Sequence, residues 1–338
     1  MREIFRKLQE AMKAGNDCIL VTIIASTGSV PRGSGARMLV TKDGRVAGTI
    51  GGGAVEYESI RLAGELLASK KNFVKHYRLD TNDTEDIGMI CGGDVDVYFR
   101  LLRAEDEKLR ALTDRVMELF KTRGSAWLVT QIAEEDGIFT VFTENGLLCD
   151  EELPEEVMLE KSRPALVACK EGQFYVERLL HAGKVYIFGG GHVAQQLVPV
   201  LDKCDFSCIV VEDRPDFADP GLFQNLAETR CIPCDQLHTL VPAVTEEDYV
   251  CIMTRGHSHD HEAVYEMLKT PARYIGLIGS RKKIAACRER LKKDGYTDRE
   301  IDRITAPIGL EIGSETPEEI AVSIAAQLIG IRSGKITG

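Results

Sequence analysis

Six residues constrain this chain more than any others. Gly189-Gly190-Gly191-His192-Val193-Ala194 stand between the apolar run Val185-Tyr186-Ile187-Phe188 and a stretch of helical periodicity reaching residue 203. Glycines between a strand and a helix permit a tight turn, close approach of backbone amides to a phosphate at the helix N-terminus, and close helix–sheet packing. Gly189 suits the turn, Gly191 the approach, and Ala194 the small third position. The next apolar run, Cys208–Val211, ends in Glu212-Asp213, at the distance where an acid binds a ribose diol and repels a 2′-phosphate. Tyr249–Met253 and Tyr274–Ile278 are continuous apolar runs, as parallel strands buried on both faces should be. Helices are expected at 192–203, 260–269 and 282–294. This alternation requires right-handed crossovers and an open, doubly wound sheet. Residues 184–338 are therefore expected to form a Rossmann-like domain, although a scaffold that uses its glycines only for packing would read the same way.

The preceding residues also alternate strand and helix, giving an α/β fold class throughout. Strands are expected at 18–26, 37–41, 45–50 and 94–100, and helices at 54–69 and 105–122. A hairpin is expected over 125–132 and 137–143. Ile4, Leu8 and Met12 recur at helical spacing near the N-terminus. We assign 1–143 to an N-terminal α/β domain and 144–183, rich in Glu with short strands at 164–169 and 173–180, to a linker.

A formal charge of −11 argues against a sequence-independent grip on nucleic acid, which needs a basic face. No apolar run approaches the roughly 20 residues that span a bilayer, and no signal peptide is evident. A cytoplasmic homodimer is expected, with no nucleic-acid or membrane partner. A disulfide framework is not expected, so most of the ten cysteines read as small apolar residues within strands.

Beyond the glycines, two loops should face the ligand side of the sheet. One holds Arg255 and His257; the other, Gly279-Ser280-Arg281-Lys282-Lys283, suits an anion or is a solvated basic turn. His257, His259 and His261 would share a face if extended and diverge if helical. Cys231-Ile-Pro-Cys234 has the spacing of half a metal site, but no second pair matches it. No bound metal is expected. Three segments of the first domain combine glycines, hydroxyls and arginines: Ser26–Arg37, with Arg32 and Arg37; Gly48–Glu56, with Gly51, Gly52, Gly53 and Glu56; and Asp86–Gly93, with Cys91, Gly92 and Gly93. Bare amides and arginines suit an anionic ligand with many acceptors. Cys91 is expected as the reactive thiol.

The runs Ser-Thr-Gly-Ser-x-Pro-Arg-x-x-Gly-Ala-Arg-Met from Ser26, Gly-Thr-Ile-Gly-Gly-Gly-Ala-Val-Glu from Gly48, and Cys91-Gly92-Gly93 resemble the N-terminal domain of the XdhC/CoxI family. Ile187–Ala194, Thr254–His257, Tyr274–Arg281 and Pro307–Gly313 resemble its C-terminal Rossmann domain. The resemblance implies a maturation factor that binds molybdenum cofactor (molybdopterin), holds it while a cysteine desulfurase supplies its terminal sulfur, and delivers it to a molybdenum hydroxylase apo-enzyme such as xanthine dehydrogenase. Many members carry Ser-Gly-Gly-Cys-Val-Glu at the second loop. Ala54 stands at the cysteine position here, leaving Cys91 as the lone motif thiol.

An NAD-dependent oxidoreductase is the alternative, with NAD or another nucleotide at Gly189, Gly191, His192, Asp213 and the Ser280-Arg281 loop. A third reading is an interaction module with a vestigial Rossmann site.

Overall fold

The structure is a computed structural model that describes residues 1–79, 93–122, 125–149, 151–159, 164–180 and 183–336, with only the backbone of Lys121, Thr122, His257 and Ser258. It divides into two compact units, Met1–His181 and Ala182–Gly338. Among the described residues no helix is long and apolar enough to cross a membrane.

The first unit holds two antiparallel sheets. It opens with α1 (Arg2–Lys13), followed by β1 (Cys18–Gly28), β2 (Arg37–Thr41), β3 (Gly44–Thr49), α2 (Gly53–Ser69), β4 (Phe73–Arg78) and β5 (Gly93–Leu102). These strands lie in the order β3-β2-β1-β5-β4. Next come α3 (Glu107–Thr122), β6 (Ala126–Ile132), β7 (Phe139–Thr143), β8 (Gly146–Leu147), α4 (Glu155–Leu159), β9 (Ala165–Cys169) and β10 (Gly172–Leu180). The second sheet has the order β8-β7-β6-β10-β9. Ile4, Leu8 and Met12 of α1 and Leu109, Leu112, Val116 and Phe120 of α3 each repeat at three- and four-residue intervals. They share a core with Leu20 and Leu39 of the first sheet and Leu128, Val141 and Leu179 of the second. On the opposite face of the first sheet, Val55, Ala63 and Leu66 of α2 pack on Ile19, Val21, Val97 and Phe99.

The segment 144–183, expected as a linker, is instead integral to this unit. β10 pairs with β6 from Gln173 to Leu180 and buries Phe174, Tyr175 and Val176. Its partner lies some forty residues back, a pairing that local composition does not reveal. β4 was not expected either. It is an edge strand whose Phe73 and Val74 stay exposed, so its sequence lacks the alternation of a half-buried strand.

The second unit is one six-stranded parallel sheet. Its elements are β11 (Lys184–Phe188), α5 (His192–Lys203), β12 (Ser207–Glu212), β13 (Ala227–Cys231), β14 (Tyr249–Ile252), α6 (His257–Met267), β15 (Tyr274–Leu277), α7 (Arg281–Lys293), α8 (Asp298–Ile301), β16 (Ile304–Thr305) and α9 (Pro317–Arg332). A long 3-10 helix, Cys234–Ala243, follows β13. The order β13-β12-β11-β14-β15-β16 reads 3-2-1-4-5-6 in order of appearance, the Rossmann arrangement expected from the glycine motif. Strand order reverses between β11 and β14, which places the crevice of such a sheet beside Gly189 and Thr254. Leu197, Val198 and Leu201 of α5 pack with Ile324, Leu328 and Ile331 of α9 on one face. Ala263, Val264 and Met267 of α6 and Leu291 of α7 cover the other. Helix α9 was not among the expected helices, although Thr316 and Glu319 form a reciprocal capping box around Pro317 at its start.

Leu197 is fully buried between α5 and the sheet. Leu197→Ala should destabilise the second unit by about 2–5 kcal/mol, the usual loss for a core leucine truncated over a cavity. Hydrogen exchange at the amides of β11, β12 and β14 is the measurement, and unchanged protection there would contradict this packing.

Candidate functional site

In the first unit, close backbone approach brings the glycine loops together. A β-carbon at Gly93 would fall 2.5 Å from the Thr27 carbonyl oxygen and 2.9 Å from that of Ser29. Gly51, at φ +126°, lies against Pro31 and Arg32, where an added β-carbon would approach Pro31 Cβ to 3.2 Å. The Ser26–Arg37 segment therefore touches both the Gly51–Gly53 loop and the start of β5. Arg32 is exposed and makes no ion pair among the described residues. Among the described residues the buried hydroxyl of Tyr175 has no hydrogen-bond partner; it lies close beside Gly35. Cys91 and Gly92 lie outside the described residues.

Two residues expected to meet a ligand are engaged within the protein. Arg37, 9% exposed, donates from Nη1 and Nη2 to both carboxylate oxygens of Glu177 on β10, and from Nε and Nη2 to the Gly35 carbonyl at 3.0 and 2.7 Å. It ties β2 to the second sheet rather than waiting for a phosphate. Glu56 accepts from Thr49 Oγ1 and from the amides of Ile50 and Gly52 at 3.1 and 3.2 Å. Burial by itself would raise its pKa; the bonds from Thr49, Gly52 and Ile50 outweigh that and hold the carboxyl below the usual range. The amides of this loop are therefore not bare: an internal carboxylate fills the position expected for a ligand's anion.

The same substitution recurs in the second unit. Glu212 is 5% exposed and accepts from the Gly190 amide at 2.9 Å and from Arg214 Nε and Nη2 at 2.9 and 3.1 Å. Burial opposes its charge, but hydrogen bonds from Arg214, with the Asp213 side chain and from the Gly190 amide bring its pKa down to about 2. Glu212 is thus removed as a ribose ligand. Gly189 and Gly190 are needed for packing, since β-carbons there would lie 2.5 Å from the Met253 carbonyl oxygen and 2.1 Å from that of Phe217. Gly191 differs: an added β-carbon meets nothing within 4 Å. It caps α5, whose first residue, His192, is exposed.

Around this point the other strand ends converge. Asp213, at the end of β12, accepts from Arg255 Nη2 at 3.2 Å and lies 4.0 Å from His259 Nδ1. Cys234 completes a group in which one donor atom each from Asp213, Cys234 and His259 lies within 4.8 Å of the others. Burial, Asp213 and nearby glutamates push the Cys234 thiol up to about 11. A small cavity of about 20 Å³ is lined by these residues with Gly189 and Thr254. α6 starts at His257, three residues earlier than expected, so His259 and His261 diverge by about 200°. His261 is buried and pairs with Asp294 at 2.8 Å. The His257 side chain lies outside what is described. Asp260 accepts from the Thr254 amide and hydroxyl and pairs with Lys283, so one cation of the basic loop is structural. Ser280 caps α7 by accepting from the Lys283 amide, while Arg281 and Lys282 remain exposed.

A larger cavity of about 360 Å³ lies at the opposite end of β5 from the glycine loops, beside Arg100, Lys108 and Glu151. None of the residues singled out from the sequence lines it.

The strand order and glycine crossing of the second unit define a Rossmann-type protein joined to an antiparallel α/β unit. Residues 185–328 match the XdhC Rossmann domain and residues 11–78 match the XdhC and CoxI family, to which this chain belongs. A relative from Escherichia coli, the uncharacterized protein YqeB, is 24% identical over 316 residues; the match takes in 93% of this chain but only 43% of that protein. A protein of Bacillus subtilis described as a probable xanthine dehydrogenase subunit is 26% identical over 96% of both chains. The molybdenum cofactor insertion chaperone PaoD of Escherichia coli is 32% identical over 111 residues, 33% of this chain and 35% of its own. A solved structure described as a xanthine dehydrogenase from Bacillus halodurans superposes with a TM-score of 0.77, covering 98% of this chain and 96% of its own at 23% identity. At that identity the likeness establishes the fold.

Two outcomes follow from the buried carboxylates. Glu177→Gln leaves the Arg37 guanidinium without its counter-charge and should cost about 3–5 kcal/mol, measurable by urea denaturation. Glu212 has its folded pKa at about 2, below the ordinary 4.5, so its stabilisation is complete above about pH 4.5 and is lost as the pH falls towards about 2. Glu212→Gln should flatten the stability of the second unit across that interval; an unchanged slope would deny the carboxylate this role.

Proposed function

We propose that this protein is a maturation factor for a molybdenum hydroxylase, and that its first unit holds molybdenum cofactor as cargo. The observation that carries this reading is the packing of the Ser26–Arg37 segment against both Gly51 and Gly93, with Arg32 exposed and unpaired among the described residues beside them. Molybdopterin presents a phosphate, a pterin edge rich in donors and acceptors, and a dithiolene. Arg32 suits the phosphate. Cys91, next to Gly92-Gly93, is the thiol assigned to the molybdenum or its sulfur ligands, because soft donors match such a centre. Arg37 and Glu56 hold the loops in place. The names of the Bacillus subtilis relative and of PaoD support the same role. On this reading a cysteine desulfurase supplies sulfur to the held cofactor, and the hydroxylase apo-enzyme receives it.

The second unit has a separate part. Gly191 leaves open space at the N-terminus of α5, which fits a phosphate. Of the two acids at that strand end, Glu212 is engaged by Gly190 and Arg214 and is not free to take an adenosine ribose, while Asp213 is paired with the exposed Arg255. This favours a phosphate-bearing ligand over a dinucleotide used for hydride transfer, and so the maturation factor over the NAD-dependent oxidoreductase.

The test uses wild-type, Arg32→Ala and Cys91→Ser proteins purified from a molybdate-fed host. Pterin fluorescence and mass report the bound cofactor, and activation of a molybdenum hydroxylase apo-enzyme reports delivery. Arg32→Ala should weaken retention by about 1.5–3 kcal/mol, the value of a hydrogen bond to a charged group. Cys91→Ser should retain its stability yet activate less. Equal activation by Cys91→Ser removes that thiol from the mechanism. Absence of pterin and activation in the wild type overturns the proposal.

A further inference from the structure

The Cys231-x-x-Cys234 spacing lacks a matching pair elsewhere in the sequence, but the fold supplies other donors. Asp213 arrives at the end of β12, Cys234 opens the 3-10 helix after β13, and His259 sits in the first turn of α6. These elements are far apart in sequence, and parallel strand order alone brings their ends to one edge of the sheet. We infer that Asp213, Cys234 and His259 form a binding site for one divalent transition-metal ion of the zinc type.

Geometry supports this assignment. Tetrahedral bonds of roughly 2.0–2.3 Å place ligand atoms roughly 3.3–3.8 Å apart. Asp213 Oδ2 and His259 Nδ1 are already 4.0 Å apart, and all three donors lie within 4.8 Å of one another, so closure requires side-chain shifts of about an ångström. The cavity they line, about 20 Å³, has room for an ion with a water. One thiolate, one imidazole and one carboxylate form the mixed donor set that suits zinc; magnesium or calcium would call for oxygen ligands alone. Together the thiolate and carboxylate neutralise a divalent ion.

Arg214 Nε lies 3.8 Å from Asp213 Oδ1 but is held by Glu212, so the nearer competing cation is Arg255, at 3.2 Å from Asp213 Oδ2. With its side chain 51% exposed, it has room to swing into solvent when a metal takes the carboxylate. Three protein ligands leave a fourth position for an exchangeable group, the arrangement of reactive rather than purely structural zinc sites. Cys231 stands nearby, its Sγ donating to the Asp213 carbonyl oxygen at 3.8 Å, but it is not one of the three residues whose donor atoms converge. The site is independent of the cofactor cargo assigned to the first unit.

The experiment titrates chelator-stripped full-length protein with Co²⁺ and then Zn²⁺. One equivalent of Co²⁺ should produce tetrahedral d–d absorption with a near-ultraviolet thiolate-to-cobalt band, and Zn²⁺ should abolish both. Cys234→Ser should remove the thiolate band. His259→Ala should weaken Zn²⁺ binding at least tenfold in chelator competition, while Cys231→Ser retains both signals. Arg255→Gln, freed of the competing cation, should bind several-fold more tightly. If Cys234→Ser fails to fold, His259→Ala carries the same test. Failure of the wild type to bind one equivalent overturns the site, as does binding that persists unchanged in both Cys234→Ser and His259→Ala. Neither result bears on pterin retention, so failure here is distinguishable from failure of the maturation role.

Discussion

A carboxylate held against the backbone amides of a glycine loop fixes the working end of each unit. In the first unit Glu56 reaches from α2 to the amides of Ile50 and Gly52. In the second, Glu212 reaches from β12 to the amide of Gly190, with Arg214 balancing its charge. Amides that converge without partners are costly when removed from water, and a loop of successive glycines loses much backbone entropy when it is ordered at all. An internal acid answers both problems, since it satisfies the amides and anchors the turn. It also decides where an incoming anion can sit. The amides nearest each carboxylate are occupied, and what stays free beside them is the exposed Arg32 in one unit and the open space at Gly191 in the other.

The two units reach this device from different architectures. The first stacks two antiparallel sheets around α1 and α3, and the buried Arg37–Glu177 pair joins one sheet to the other beside the glycine loops. Such a pair must be dehydrated to form, so it adds more to uniqueness of geometry than to net stability. The second unit relies on parallel strand ends. Asp213, Thr254 and Ser280 follow β12, β14 and β15 and so face one edge of one sheet.

Much of this is legible in the residues. Helix α5 spans the expected 192–203, and the apolar runs at 185, 208, 249 and 274 are the central strands of a parallel sheet, because burial on both faces leaves a strong local signature. The three first-unit loops are recognisable from composition, and two of them meet as expected among the described residues. What escapes are relationships over distance. Glu177 carries no local mark of its pairing with Arg37, and β10 looks like linker because its partner β6 lies far back in the chain. Edge strands such as β4 and β13, half-buried or exposed, lack the pattern that periodicity detects. Glu212 reads as a ligand contact because the sequence shows an acid after a strand but not the amide it already holds.

The position of α9 has a consequence for how the protein is made. Helix α5, laid down at the start of the second unit, buries Leu197, Val198 and Leu201 against a face that α9 completes more than a hundred residues later. Arg332 fastens the two, donating to the Cys204 carbonyl at 2.8 Å and lying over the Phe206 ring. During synthesis the first unit has all its strands once β10 emerges and is free to fold as the rest is translated. The second has all its strands once β16 emerges but cannot cover that face of its sheet until Pro317–Arg332 has left the ribosome. Through that interval the side of α5 that α9 covers stays open to solvent.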